Sequence, residues 1–191
     1  IIGDRSLIRS KSIFYLGSTF GSDLSTGHHV TVREGVKAGN NLQLGTFTDV
    51  QGDCIFGNYV RIHSKVNIGK YSRLGNFVWI FPYVILTNDP HPPSNIMKGV
   101  TVEDYVSIAT MSVILPGITI KKDTVIGAHS LVAKDTKEGS LVAGRPAKEI
   151  CNASKIRLQN GQCQAYPWRR HFHRGYPFEI VNNWKAEFND F

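Results

Sequence analysis

Residues 60–86 read VRIHSKVNIGKYSRLGNFVWIFPYVIL, and every sixth position holds a large aliphatic side chain: Ile62, Ile68, Leu74, Ile80 and Leu86. Toward the start of the chain the same phase runs back through Phe56, Val50, Leu44, Ala38, Val32, Thr26, Phe20, Phe14, Ile8 and Ile2. Thirteen of these fifteen positions are Ile, Leu, Val or Phe. Two residues earlier in each hexad lies a column of mostly small or β-branched residues, among them Val30, Val36, Thr48, Cys54, Val60, Val66, Ser72, Val78 and Val84. The position after each large aliphatic residue holds Gly3, Gly21, Gly27, Gly39, Gly45, Gly57, Gly69, Gly75 and Gly127, nine of the chain's eighteen glycines. Asn40, Asn58 and Asn76 come next. Gly and Asn are the residues that tolerate positive φ, so the pattern predicts left-handed backbone at these corners.

A six-residue unit with two inward apolar positions and a turn residue is a short strand plus a corner. The helical period of 3.6 is absent, and strict alternation breaks at every corner, so neither a helix nor a flat sheet fits. Three units close one coil, and coils stack about 4.8 Å apart by parallel strand pairing. The predicted fold is all-β, a parallel β-helix whose interior ladders include Val32–Val50–Ile68–Leu86 and Leu44–Ile62–Ile80.

The period slips once. After Leu86 the next inward residue should fall at 92, but the phase resumes at Val102 and continues through Ile108, Ile114, Ile120, Ile126 and Val132. About ten extra residues therefore form a projecting loop over 87–99, TNDPHPPSNIMKG. Pro90, Pro92 and Pro93 deny it ladder donors. Loops held out by a rigid scaffold are where function concentrates. The repeat ends near Lys134–Asp135, and the turn-rich KEGSLVAGRPAKEI closes the last coil. The remaining residues, 151–191, lack hexads. They contain YPWRRHFHRGYP, then a predicted short helix in which Ile180, Val181, Trp184 and Phe188 share a face. This extension is expected to pack on the last coils and cover their apolar end, with contact to a substrate diphosphate as the alternative. The organisation is thus one solenoid domain over 1–150 and an extension over 151–191.

No apolar run approaches a membrane span, and no charged-then-apolar leader precedes the repeat. Cys54, Cys151 and Cys163 are spaced for neither a disulfide framework nor a zinc site, which points to the reducing cytoplasm. The net charge of +7 suggests an anionic partner without choosing its class.

Residues 2–150 resemble the left-handed β-helix acyltransferases with hexapeptide repeats. The resemblance rests on the hexads, the loop, SVILPGITI at 112–120, VIGAHSLVAKD at 125–135 and VAGRPAKEI at 142–150. The last three segments are similar to the end of galactoside and maltose acetyltransferases and of nucleotide-amino-sugar N-acetyltransferases. The resemblance implies a left-handed coil, which the period cannot supply. It also implies a homotrimer with active sites between subunits and acetyl-CoA as acyl donor, with no metal. Within the loop, His91-Pro92 matches the galactoside-type pattern and Thr87-Asn88-Asp89 the amino-sugar pattern, so hydroxyl and amine acceptors both stay open. The favoured expectation is N-acetylation of a nucleotide-linked amino sugar for surface polysaccharide, with O-acetylation of a sugar hydroxyl as the rival.

Acyl transfer from a thioester needs an acceptor freed of its proton. His91 is the candidate general base. Asn88 and Asp89 are candidates for orienting the acceptor or the imidazole, or for opening the loop as Asx-turn residues. The family pattern assigns the pantetheine amides to the backbone at Ala109 and Thr110. It makes Lys134, Arg145 and Lys148 candidates for the CoA phosphates, and places His129 near the same groove. His63, Trp79 and Tyr83 are candidates for lining the acceptor cleft, with subunit or surface packing as the alternative. His28 and His29 lie too far back along the coil for such a role. The aromatic and basic YPWRRHFHRGYP is of the composition found in single-stranded nucleic-acid binders, but no nucleic-acid motif accompanies it, and neither nucleic acid nor membrane is an expected partner. A γ-type carbonic anhydrase would need a closely spaced histidine pair that His63, His91 and His129 do not provide. A non-catalytic trimeric scaffold is the remaining alternative.

Overall fold

Each corner turns the chain aside before a strand can pair with its sequence neighbour, so the backbone groups find partners one full coil away. Ile13 lies beside Thr31, and Asn67 beside Ile85. The computed structural model describes residues 1–159, 161 and 163–188, and contains nineteen two-residue strands from Ile13–Phe14 to Leu131–Val132. With two longer strands at the end, they form three parallel-stacked sheets of seven, six and eight strands, a β-solenoid. Val32, Val50, Ile68 and Leu86 align in the seven-stranded sheet, and Leu44, Ile62 and Ile80 in the eight-stranded one, as the period predicts. These side chains are at most 3% exposed and form one continuous core.

The corners depart from expectation. The repeated glycines do not have positive φ. That conformation falls two residues after them, at His29, Asn41, Tyr59, Tyr71 and Phe77, among others. Glycine is required for a different reason: the coils approach too closely for a Cβ. One added at Gly57 would lie 2.7 Å from the backbone carbon of Gly75 in the next coil. The intervening asparagines form a ladder. The side-chain carbonyl of Asn58 accepts the Asn40 N–H at 2.8 Å, and that of Asn76 accepts the Asn58 N–H at 2.8 Å. Gly57→Ala is therefore expected to force two coils apart and cost about 1–3 kcal/mol, the range for overpacking a tight interior. A thermal melt checks this, and an unchanged Tm would contradict it.

The segment that closes the last coil is an antiparallel hairpin, Ser140–Gly144 with Ala147–Asn152, whose first strand adds to Val125–Ile126. Beyond it come two short 3-10 turns and the helix Phe178–Glu187, in which Val181 and Trp184 are buried. This tail runs along the flank of the solenoid, from Asp123 in the last coil back to Phe77 and Tyr59 in the middle ones. The reason is a ready platform there: Tyr59, Phe77 and Tyr105 stack face to face at 5.2 and 5.0 Å, one coil apart. Trp184 meets Phe77 edge-on, and Trp168 and Tyr176 complete the cluster. Arg169, 3% exposed, reaches Asp123 on the solenoid and Glu187 on the helix.

Candidate active site

The loop 87–99 leaves the corner after Ile85–Leu86 and returns at Thr101–Val102. Asn88 anchors its base: the side-chain amide donates to Gln51 Oε1 at 3.0 Å, and the backbone carbonyl accepts the Lys98 N–H at 2.7 Å. Asp89 shapes its tip. The carboxylate accepts from the His91 N–H at 2.9 Å, the Ser94 N–H at 2.9 Å and the Ser94 hydroxyl at 2.7 Å. That hydroxyl bond, with the two backbone donors, holds the Asp89 carboxyl below its usual range. Asp89 thus touches His91 through the backbone and not through the imidazole, which is exposed. Of the two readings of Asp89, turn formation is the one with visible contacts.

The same corner, followed along the stack, carries Leu115–Gly117 and then Ala133–Lys134. The stem of Lys98 runs across Gly117, with its Cδ 3.4 Å from where a Cβ would stand. Beyond lies a cleft of about 350 Å³ whose lining includes Lys134, Lys137 and Lys148. Lys137 pairs with Glu149 at 2.9 Å. Lys134 and Lys148 form no ion pair among the described residues. Arg145 stands exposed at the hairpin tip and does not line this cleft.

The other candidates occupy a different corner, the one following the eight-stranded sheet. His63 stacks on Phe81 at 4.9 Å. Burial, and secondarily the Arg61 charge, pulls the His63 imidazole below its ordinary value of 6.5. Ala109 follows in the same row. Its N–H donates to Ile126 and the Thr110 hydroxyl donates to the Pro82 carbonyl, so these groups already serve the solenoid. Tyr83 is exposed and accepts from Lys65 Nζ at 3.0 Å. His129 is exposed one coil beyond Met111. Trp79 lies under the tail, its indole N–H donating to the Tyr176 hydroxyl at 3.0 Å.

Within one chain the fold therefore gathers the loop, Lys98, Lys134 and Lys148 along one corner. It leaves Ala109, Thr110, His129, His63, Trp79 and Tyr83 on another. Gln51, Ser94 and Lys98 were missed from sequence. Gln51 was reachable, because 51 and 87 differ by two coils of eighteen residues and so share a corner.

The repeat and the three stacked sheets define a parallel β-solenoid, and the comparisons with known proteins agree. A 2,3,4,5-tetrahydropyridine-2,6-dicarboxylate N-acetyltransferase of Staphylococcus aureus is 35% identical over 82 residues, covering 43% of this chain and 34% of that protein. The chain thus spans about a third of the length of the curated relatives it matches. LpxA, a UDP-N-acetylglucosamine acyltransferase from Bacteroides fragilis, superposes with a TM-score of 0.59 at 13% identity, over 95% of this chain and 76% of that one. PerB from Caulobacter crescentus, solved with CoA and GDP-perosamine, has a TM-score of 0.37 at 19% identity, over 75% and 56%. At 13% identity the likeness to LpxA is one of fold. No protein-family model matches the chain.

Proposed function

We propose that the protein transfers an acyl group, most simply acetyl, from CoA to an amino group. The observation that carries this reading is the 35% identity to an N-acetyltransferase, which also favours the amine over the hydroxyl as acceptor. The lysine cleft supports the donor half. CoA carries a pyrophosphate and a 3′-phosphate, and ammonium groups without carboxylate partners suit such anions. The thioester carbonyl is supplied by the CoA derivative. His91 would take the proton from the attacking nitrogen as its lone pair adds to that carbonyl, and the CoA thiolate would leave.

The division of candidates between two corners supports a homotrimer, because a neighbouring copy can set its His63–Ala109 corner against the loop of the first. The acceptor in this reading is a small-molecule amine, and a nucleotide-linked amino sugar is the form the motif resemblance favours. The cytoplasm, where CoA thioesters are made, is the proposed compartment.

The test is thiol release from acetyl-CoA with amino sugars, nucleotide-linked amino sugars and simple glycosides, beside calorimetry with CoA. Lys134→Ala combined with Lys148→Ala is expected to weaken CoA binding by at least about tenfold, as loss of two charge-assisted phosphate contacts should. Absence of both thiol release and CoA binding would sink the reading. Release with glycosides alone would transfer it to hydroxyl acceptors.

A further inference from the structure

The tail and the eight-stranded sheet enclose a space apart from the loop 87–99 and the lysine cleft. On the outer face of that sheet Gln43, Arg61, Trp79 and Ser107 are register partners in successive strands. The tail crosses above them. It leaves a chamber of about 320 Å³ with aromatic walls, chiefly Trp79, Phe81, Tyr166, Trp168 and Phe172. Adjoining it is an open groove of about 610 Å³ that descends to Ser25, Gln43 and Arg9. The two share His63, Trp79, Phe172 and Arg174, so they form one continuous cavity of a size that small-molecule sites have.

Its charge is one-sided. The combined lining holds Arg9, Arg61, Arg174, His28, His63 and His171, and no aspartate or glutamate. Arg61 is 9% exposed, yet among the described residues it has no carboxylate partner. Its guanidinium donates to the Gly175 carbonyl at 3.0 Å and the Tyr176 hydroxyl at 3.3 Å, and lies 5.3 Å from the centre of the Trp79 ring. A buried guanidinium facing only neutral groups keeps an uncompensated charge, which an anion in the groove would offset. Flat aromatic walls at one end favour a planar ring.

We infer that this cavity binds a nucleoside phosphate, with the base stacked in the Trp79–Phe172 chamber and the phosphate toward Arg61, Arg174 and Arg9. The inference rests on the tail and the sheet, not on the acyl-transfer reading. Two sources share this chemistry: a free or sugar-linked nucleotide, and the adenosine diphosphate moiety of CoA.

The experiment is titration of the full chain with UDP, dTDP, GDP, ADP and CoA, followed by calorimetry and by tryptophan fluorescence, since Trp79 and Trp168 line the chamber. At least one nucleoside diphosphate should bind once per chain and change the emission, with ribose 5-phosphate about tenfold weaker for want of a stacking ring. Arg174→Glu and Arg9→Glu, both at exposed positions on separate segments, should each weaken binding by at least about tenfold while leaving Tm unchanged. Competition by CoA would identify the donor's adenosine diphosphate as the occupant, and indifference to CoA a separate nucleotide. Three results overturn the inference. They are no nucleotide binding up to millimolar concentration, binding unaffected by both arginine reversals, and tighter binding of a single-stranded oligonucleotide spanning several chains. Nucleotide binding without thiol release would leave the inference standing and count only against acyl transfer.

Discussion

His91→Ala is expected to lower kcat/KM for acyl transfer by about 10²–10⁴-fold, the span that a positioned general base contributes. The loop geometry makes this a test of chemistry and not of folding. Asp89 holds the loop through the backbone N–H of His91, which alanine keeps, and through Ser94, which the substitution leaves alone. The imidazole is exposed, so its removal opens no cavity. An amine acceptor should place the loss near the lower end, because its neutral form is already nucleophilic. A hydroxyl acceptor should place it near the upper end. Steady-state kinetics at fixed acetyl-CoA, with Tm as control, decides the matter. Full activity in the variant would remove His91 from the chemistry and leave the fold and the CoA cleft untouched.

Arg169→Ala is expected to release the tail from the solenoid. The guanidinium is 3% exposed and is held by two carboxylates, donating to Glu187 at 2.6 and 3.1 Å and to Asp123 by a bidentate pair. It also lies over the Tyr105 ring at 4.1 Å. Removing one member of a buried ionic cluster leaves the other charges uncompensated, which costs about 3–5 kcal/mol. That sum falls on the tail's attachment, because the solenoid's own ladders do not pass through Arg169. Limited proteolysis should then cut between residues 153 and 188 while the coils stay resistant. A variant as resistant as the wild type would mean that the aromatic cluster alone holds the tail. The two carboxylates of the clamp respond to pH differently: burial pushes the Asp123 carboxyl above its usual range, while the Glu187 arm behaves in the opposite way. The bond from Arg169 draws the Glu187 carboxyl below its usual 4.5. A carboxylate of lowered pKa contributes fully above its unfolded value, and the contribution fades as pH falls through the lowered one. Loosening by this route is therefore confined to pH below about 4.5.

The fold was legible because a solenoid writes its contacts into the sequence at a constant interval. Val32 and Val50 touch because they stand eighteen residues apart, and no long-range guess is needed. The loop was legible for the same reason, as the one place where the interval fails. The role of glycine was misread because local preference suggests positive φ, while the demand comes from the neighbouring coil's backbone at Gly57 and Gly75. How far back along the flank the tail reaches was not legible. It depends on Tyr59, Phe77 and Tyr105 lining up on the outside, and a one-coil reading does not assign them a partner 60 or more residues away. Asp89 was half legible: an Asx turn was among its expected roles, but the choice needed Ser94 in view.

In a stack whose coils touch only their neighbours, melting has no reason to be all-or-none, and each end can fray by itself. The tail changes that. By bonding at once to Asp123 and to the Tyr59–Phe77–Tyr105 row, it acts as a strap across several coils. The coils under the strap become one cooperative unit. Those before Tyr59, to which the aromatic cluster of the tail's described residues does not extend, keep the graded stability of a linear array.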